Sequence, residues 1–302
     1  SNGYTYKKVN SGEMSNKGFE VTLSATPIQT DKFAWYLDWN ISRNRNKLIK
    51  LAPGLSRYKV TWEYYGNVEL YAIEGRPFGE MYGGNYVYDD AGNRLVDENG
   101  FYLRSKDKEV LGNINPEFTT GLTNTFTYGN LSLSFTFDYQ HGGSYYAGAY
   151  ALGMYAGTIR ETVANGMRER DASGPKGQKG IVLDGVVARV ESDGTIVSTG
   201  VKNTKAISPK EYGSTFYKGI DAQAIFDATF LKLRSVSLSY EVPLPETKHI
   251  KGLNFTLSGY NLWTGALAWD GMDPESAIYN QGMGNSSLPT TRSFALSVGL
   301  KL

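Results

Sequence analysis

Side chains in this chain alternate with a period of two, and that limits its possible folds more than any other feature. Phe19, Val21, Leu23 and Ala25 interleave with Glu20, Thr22, Ser24 and Thr26, and Trp35, Leu37, Trp39 and Ile41 with Tyr36, Asp38, Asn40 and Ser42. Phe118, Thr120, Leu122, Phe126 and Tyr128 oppose Thr119, Gly121, Thr123, Thr125 and Thr127, and Leu131, Leu133, Phe135, Phe137 and Tyr139 oppose Ser132, Ser134, Thr136, Asp138 and Gln140. Later runs carry Val236, Leu238 and Tyr240, then Leu253, Phe255 and Leu257, then Phe294, Leu296, Val298, Leu300 and Leu302. Each reads as a β-strand with one apolar and one polar face. Between Leu233 and Val236 the apolar phase slips by one residue, which predicts a β-bulge. The runs are about 10 residues long, against roughly 5–6 for ordinary strands. A tilted strand needs about 9–11 residues to cross a bilayer.

The connections alternate in length. Pro27 to Lys32, Tyr128 to Asn130 and Val242 to Gly252 are short. Lys47 to Pro116, Gly142 to Asp227 and Trp263 to Pro289 are long. Antiparallel neighbours send successive connections to opposite ends, so all short turns fall at one end and all long loops at the other, as in membrane barrels. Parity requires zero or two further full strands between Lys47 and Pro116, with Tyr58 to Tyr65 and Met81 to Tyr88 as candidates. The total is therefore seven clear strands and up to ten.

The 31 basic and 30 acidic residues nearly cancel, which argues against nucleic-acid binding. Cysteine is absent, so there is no disulfide framework and no thiolate site. His141 and His249 stand far apart, which excludes a multi-histidine metal centre. Neither lies in a nucleophile elbow, no acidic pair stands out, and an enzyme is not expected. His249 reads as solvated surface and His141 as packing. No run of about 18 apolar residues marks a transmembrane helix, which leaves barrels open. The apolar faces of the Phe19, Trp35, Phe118 and Leu131 runs carry no charge, which suits lipid or a sandwich core. Asp38 and Asp138 fall on polar faces. Trp35, Trp39, Tyr128, Tyr139, Tyr240, Tyr260 and Trp263 sit near strand ends, where interfacial girdles form.

In the loops, Asp89-Asp90-Ala91-Gly92-Asn93 reads as a turn, Ala147 to Arg168 as a stretch able to form a helix, and Val186 to Ser198 as a hairpin around Ser192-Asp193-Gly194. Asp89, Asp90, Asn93, Asp97, Glu98 and Asn99 offer oxygen ligands for Ca²⁺, but their spacing is not that of an EF-hand and turn chemistry accounts for them. No other cofactor is expected. Tyr86, Tyr88, Tyr145, Tyr146 and Trp269 are candidate substrate contacts that could stack on sugar rings; loop packing is the commoner role for any one of them.

Several strings, in order, resemble the SusC/RagA family of TonB-dependent outer-membrane transporters. They are Asn16-Lys17-Gly18-Phe19-Glu20; Gly112 to Phe118 with Gly121 to Phe126 and Gly142-Gly143; Phe226 to Tyr240; Gly259-Tyr260-Asn261-Leu262-Trp263; Asp273-Pro274-Glu275; and Pro289 with Arg292-Ser293-Phe294. The resemblance implies an all-β fold, with residues 1–302 as the C-terminal portion of an antiparallel transmembrane β-barrel of about 22 strands with long extracellular loops. The plug domain and N-terminal strands would lie outside this chain; its first residues, Ser1-Asn2-Gly3-Tyr4, read as a chain entered in the middle. It also implies a multi-pass location among the lipids of a Gram-negative outer membrane. A SusD-like surface lipoprotein would cap the barrel, and the TonB complex would act through the missing N-terminal part. The cargo would be an oligosaccharide or a peptide. Such barrels usually end on an aromatic residue, and this chain ends on Leu302. The rival reading is a secreted carbohydrate-binding or adhesin β-sandwich.

Overall fold

The computed structural model describes residues 12–62, 66–163, 180–217, 219–244, 250–279, 281–284 and 288–301. Seven long strands form one antiparallel sheet in sequential order: β1 (Gly12–Gln29), β2 (Phe33–Leu51), β3 (Phe118–Tyr128), β4 (Leu131–His141), β5 (Phe230–Val242), β6 (Gly252–Gly265) and β7 (Ser293–Lys301). The register keeps the period-two pattern in phase across strands. Trp35, Phe126, Leu133, Leu238, Leu257 and Leu296 form one row, and Leu23, Trp39, Leu122, Phe137, Leu233 and Trp263 another. Along these rows one face of the sheet is apolar from edge to edge; nearer the cap Arg43 stands opposite Phe19 on that face. A slip of one residue in any pairing would break every row beyond it.

The β3–β4 hairpin closes through Gly129 and Asn130. Gly129 has φ 54°, the positive value that the first position of a two-residue hairpin loop requires. The predicted bulge lies in β5: Leu233 pairs with Phe137 and Ser235 with Thr136, so Arg234 is the extra residue. β1 and β2 run further than their alternation indicates. Gly12 to Asn16 pairs with Leu51 to Asn46, where polar side chains such as Ser15, Asn16, Asn46 and Lys47 conceal the strand. The sheet holds seven strands. Arg57–Trp62 and Glu80–Gly83 are short strands of a separate four-stranded sheet with Glu69–Ile73 and Glu109–Asn113. Residues 63–65 of the Tyr58 to Tyr65 candidate lie outside the described residues.

The long connections fold into a cap at one end of the sheet. Besides the four-stranded sheet it contains the predicted hairpin, Val186–Val190 with Ile196–Lys202, which pairs with Leu95–Val96. It also contains the helices α1 (Gly148–Ala156), α2 (Pro209–Ser214) and α3 (Pro274–Tyr279). α1 accounts for part of the Ala147 to Arg168 stretch; residues 164–168 lie outside the described residues. α2 begins with a capping box between Ser208 and Glu211. No helix among the described residues is long and apolar enough to cross a membrane.

The hydrophobic core lies in this cap. Its clusters form around Val68, Leu70, Met81, Tyr146 and Met154; around Tyr145, Trp269 and Ala277; and around Val96, Leu183 and Ile207. A fourth joins Leu48 and Leu51 of β2 to Ala72. The apolar face of the sheet stays open: Leu133, Leu238, Leu257 and Leu296 are exposed, Leu296 to 71%. No second sheet covers it among the described residues, so the sandwich reading fails.

The apolar face does contain polar atoms. Asn124 and Thr120 of β3 fall on it, and each is paired: the Trp35 indole donates to Asn124 Oδ1 (3.0 Å) and the Trp39 indole to Thr120 Oγ1 (2.9 Å). Asn124 is only 7% exposed. Trp35→Phe leaves its carbonyl unpaired and should cost about 1–3 kcal/mol in chemical denaturation. Adding Asn124→Leu should restore most of that loss, because removing both partners of a buried hydrogen bond is nearly neutral.

Candidate functional site: the polar wall and its cap

The opposite face of the sheet is a wall of small polar groups. Hydroxyls pair across neighbouring strands: Thr123 with Thr136 (2.9 Å), Thr125 with Ser134 (2.9 Å) and Ser239 with Thr256 (2.8 Å). On β1 and β2, Ser24 donates to Asp38 (2.5 Å) and Ser42 to Glu20 (3.4 Å). Asp38 and Asp138 both lie on this face. Trp39 does not sit near a strand end. It pairs with Leu23 and Leu122, well inside a β2 that runs on to Leu51.

Towards the cap the wall becomes strongly charged. Arg234 follows Leu233 onto the polar face, next to Lys232, and the bulge there restores Val236 to the apolar one. Lys232 Nζ donates to Asp273 Oδ2 and to Glu275 Oε2, both at 2.6 Å. Arg234 donates through Nε and Nη2 to Asp138 Oδ2 (2.9 and 2.8 Å) and through Nη1 and Nη2 to the two oxygens of Glu275 (2.7 and 2.6 Å). Thr290 donates to Asp273 Oδ2 (2.6 Å), while Asp273 Oδ1 accepts from the Glu275 amide (3.0 Å) at the start of α3. Two cations and three carboxylates thus join β4 and β5 to the last loop. Burial alone would raise the Glu275 pKa, but hydrogen bonds from Arg234 and Lys232 outweigh it and hold the carboxyl below the ordinary glutamate value.

The structure separates the aromatic candidates. Tyr145, Tyr146 and Trp269 are buried in cap clusters, and the Trp269 indole donates to Glu161 (2.9 Å). These three pack the loops together. Tyr86 and Tyr88 lie in a different part of the cap. Tyr86 meets Tyr88 and Tyr102 edge-on, with centroids 6.2 and 5.0 Å apart. The Arg94 guanidinium, which sequence reasoning missed, sits 4.3 Å from the Tyr86 centroid and 5.6 Å from that of Tyr102. Burial raises the Tyr86 phenol, whereas Tyr88 is 47% exposed. Arg94 becomes legible only through the cross-strand bridges Tyr88–Arg94 and Tyr86–Arg104.

The acidic loop is built from two similar turns. Asp89 accepts from the Ala91 and Asn93 amides, and Asp97 from those of Asn99 and Phe101. Among the described residues no three His, Asp or Glu side chains group to hold a metal. Asp221, deep in the cap, accepts from the Asn67 and Gly84 amides (3.0 and 2.7 Å) and ties three loop segments together. His141 packs between Phe118 and Tyr139, with its Nδ1 3.2 Å from the Tyr139 hydroxyl. His249 lies outside the described residues.

The chain is homologous to TonB-dependent receptors over most of its length. It is 24% identical to TonB-dependent receptor P3 of Formosa agariphila over 97% of this chain and 29% of the relative. It is 29% identical to TonB-dependent receptor SusC of Bacteroides thetaiotaomicron over 52% of this chain and 18% of the relative. The chain therefore spans less than a third of the length of these relatives. Among solved structures, the RagAB peptide transporter matches with a TM-score of 0.58 at 20% identity, and the RagAB peptide importer in its 'open-open' state with 0.60 at 18%. Each match covers 96% of this chain and 29–30% of the other. The fold is that of an antiparallel barrel wall, left open here between β1 and β7. No family model matches the chain.

A carboxylate held below its ordinary pKa stabilises the fold above that ordinary value and loses the contribution as pH falls through the depressed one. The attachment of α3 should thus be constant above about pH 4.5, the reference value for glutamate, and weaken below it. Hydrogen exchange at the Gly282 and Gly284 amides, which donate to Ala277 O and Tyr146 O, should report the opening once corrected for intrinsic rates. Glu275→Gln should abolish the pH step.

Proposed function

We propose that the chain is the C-terminal portion of a TonB-dependent importer in the outer membrane of a Gram-negative bacterium. The plug and the remaining strands come from sequence outside residues 1–302, and energy arrives through the TonB complex acting on that part. The single observation carrying this reading is the inversion of the fold: the core fills the loops, while among the described residues nothing packs against the long apolar face of the sheet. Acyl chains are the solvent that such a face suits. The uncharged band on β3 and β4 also fits, because Arg or Lys at the bilayer midplane costs about 2–4 kcal/mol. The polar wall borders the route of the cargo, and the cap contacts the cargo and a SusD-like lipoprotein. The chain itself carries no catalysis.

The cargo is an oligosaccharide or a peptide. The likeness to a peptide importer supports the peptide. Tyr86 and Tyr88, gathered with Tyr102 around Arg94, are the aromatic surface offered to it; Tyr88 contributes the exposed ring.

Leu133→Arg tests the membrane assignment. The protein should fail to accumulate in the outer membrane, while Ser132→Arg on the polar face should still assemble. Wild-type amounts of Leu133→Arg in the membrane fraction would overturn the reading. In assembled protein, Tyr88→Ala should weaken ligand binding by about 1 kcal/mol, the usual worth of an aromatic contact, as measured by titration calorimetry.

A further inference from the structure

The charged network at the bulge is more than a surface ion pair. Lys232 is 1% exposed, with Asp273 at 9% and Glu275 at 16%. Lys232 bonds to the cap, at Asp273 and Glu275 beside the N-terminal turn of α3, while Arg234 joins Glu275 to Asp138 of β4 on the wall. Removing those carboxylates with the cap in place would leave a buried ammonium with no counter-charge, which is strongly unfavourable. Further bonds run in parallel. Gln140 of β4 donates to Ala228 O (3.1 Å), the Ala228 amide to Gly143 O (3.0 Å) and the Gly142 amide to Thr229 Oγ1 (2.9 Å). Behind α3, Ala277 is fully buried with Tyr145, Ala228 and Trp269. The segment around Met283 then bonds to the strand at Tyr146 in both directions, from the Tyr146 amide to Gly282 O and from the Gly284 amide to Tyr146 O. The last loop, the loop between β4 and β5, and the wall thus share one continuous set of buried contacts.

We propose that the five side chains Asp138, Lys232, Arg234, Asp273 and Glu275 form a latch that makes this side of the cap a fixed part of the wall. Cargo then enters and leaves without movement of the last loop, and any gating motion belongs to other parts of the molecule. The inference rests on the importer reading for what passes through, but the latch stands on its own geometry. The bulge is what keeps it compatible with the apolar rows. Paired as a regular strand, the same sequence would still place Arg234 on the polar face but would throw Val236, Leu238 and Tyr240 out of their apolar rows.

Because residues 1–302 contain no cysteine, a two-site spin label is straightforward. Asp270→Cys, at an exposed site in the last loop, and Asn130→Cys, at the far turn of the wall, are labelled in the full-length protein in whole cells. Pulsed electron–electron resonance should give one narrow distance distribution. That distribution should be the same in energised cells and in cells treated with a protonophore. Lys232→Gln should broaden it by freeing the cap. Should that variant fail to reach the membrane, Glu275→Gln, which leaves Asp273 to neutralise Lys232, makes the same comparison. A second population in the unmutated background, displaced by about 5 Å, one helical turn, would overturn the proposal. An unchanged distribution in the latch variants would overturn it too. The measurement needs no cargo, so failure to detect import would count against the importer reading and not against the latch.

Discussion

The structure depends on the pairing of a complete backbone hydrogen-bond ladder with side chains that sort strictly by face. The ladder satisfies each interior strand from both sides, and the period of two does the rest. Every second residue from Phe33 to Ile41 and its partners on β3, β4 and β5 falls on the apolar side, and the residues between fall on the hydroxyl side. A sheet sorted this way needs two different solvents. The described residues provide a partner for the polar side, through the cap and its charged network, and leave the other side bare. That asymmetry, more than strand count, separates this wall from a sandwich, in which apolar faces close on each other.

Polar atoms on the apolar side show how strictly the sorting is kept. Asn124 and Thr120 would each place an unsatisfied group on a face without water. Both are met by indole N–H groups from β2, so the two tryptophans bring bulk to the apolar rows and donors to the exceptions. The bulge solves the converse problem. Two cations close together on β5 need polar surroundings, and the extra residue at Arg234 lets both reach them without shifting the rows on either side. One inserted residue thus changes local chemistry and leaves the fold in register.

Local pattern made much of the architecture legible. The seven long runs, the bulge between Leu233 and Val236, the one-sided loops, the turn at Asp89 and the hairpin around Asp193 all follow from spacing within a few residues. What stayed hidden depends on contacts far apart in sequence. Tyr145, Tyr146 and Trp269 look like an exposed aromatic surface when read as loop residues. They are buried because the loop after β4 and the loop after β6 pack together, and no local period encodes that. The beginning of β1 stays hidden for a related reason: Ser15 and Asn16 carry no alternation, and their pairing with Lys47 and Asn46 lies some thirty residues away. α3 is too short to show a helical period, and the acids it presents to Lys232 and Arg234 lie some forty residues downstream of them.

The distribution of charge along the wall ties these levels together. On β3 and β4 the polar face from the turn end to Thr136 carries only Ser, Thr and Gly, and its hydroxyls pair with one another. Charge begins at Asp138, level with Lys232, where the cap closes over the sheet. Placed lower, the same ions would sit on an open wall with water to screen them and would hold little. Under the cap they are desolvated, and there a pair is costly to break. The strength of the attachment therefore comes from the cap that covers it: the loops bury the ions, and the buried ions fix the loops.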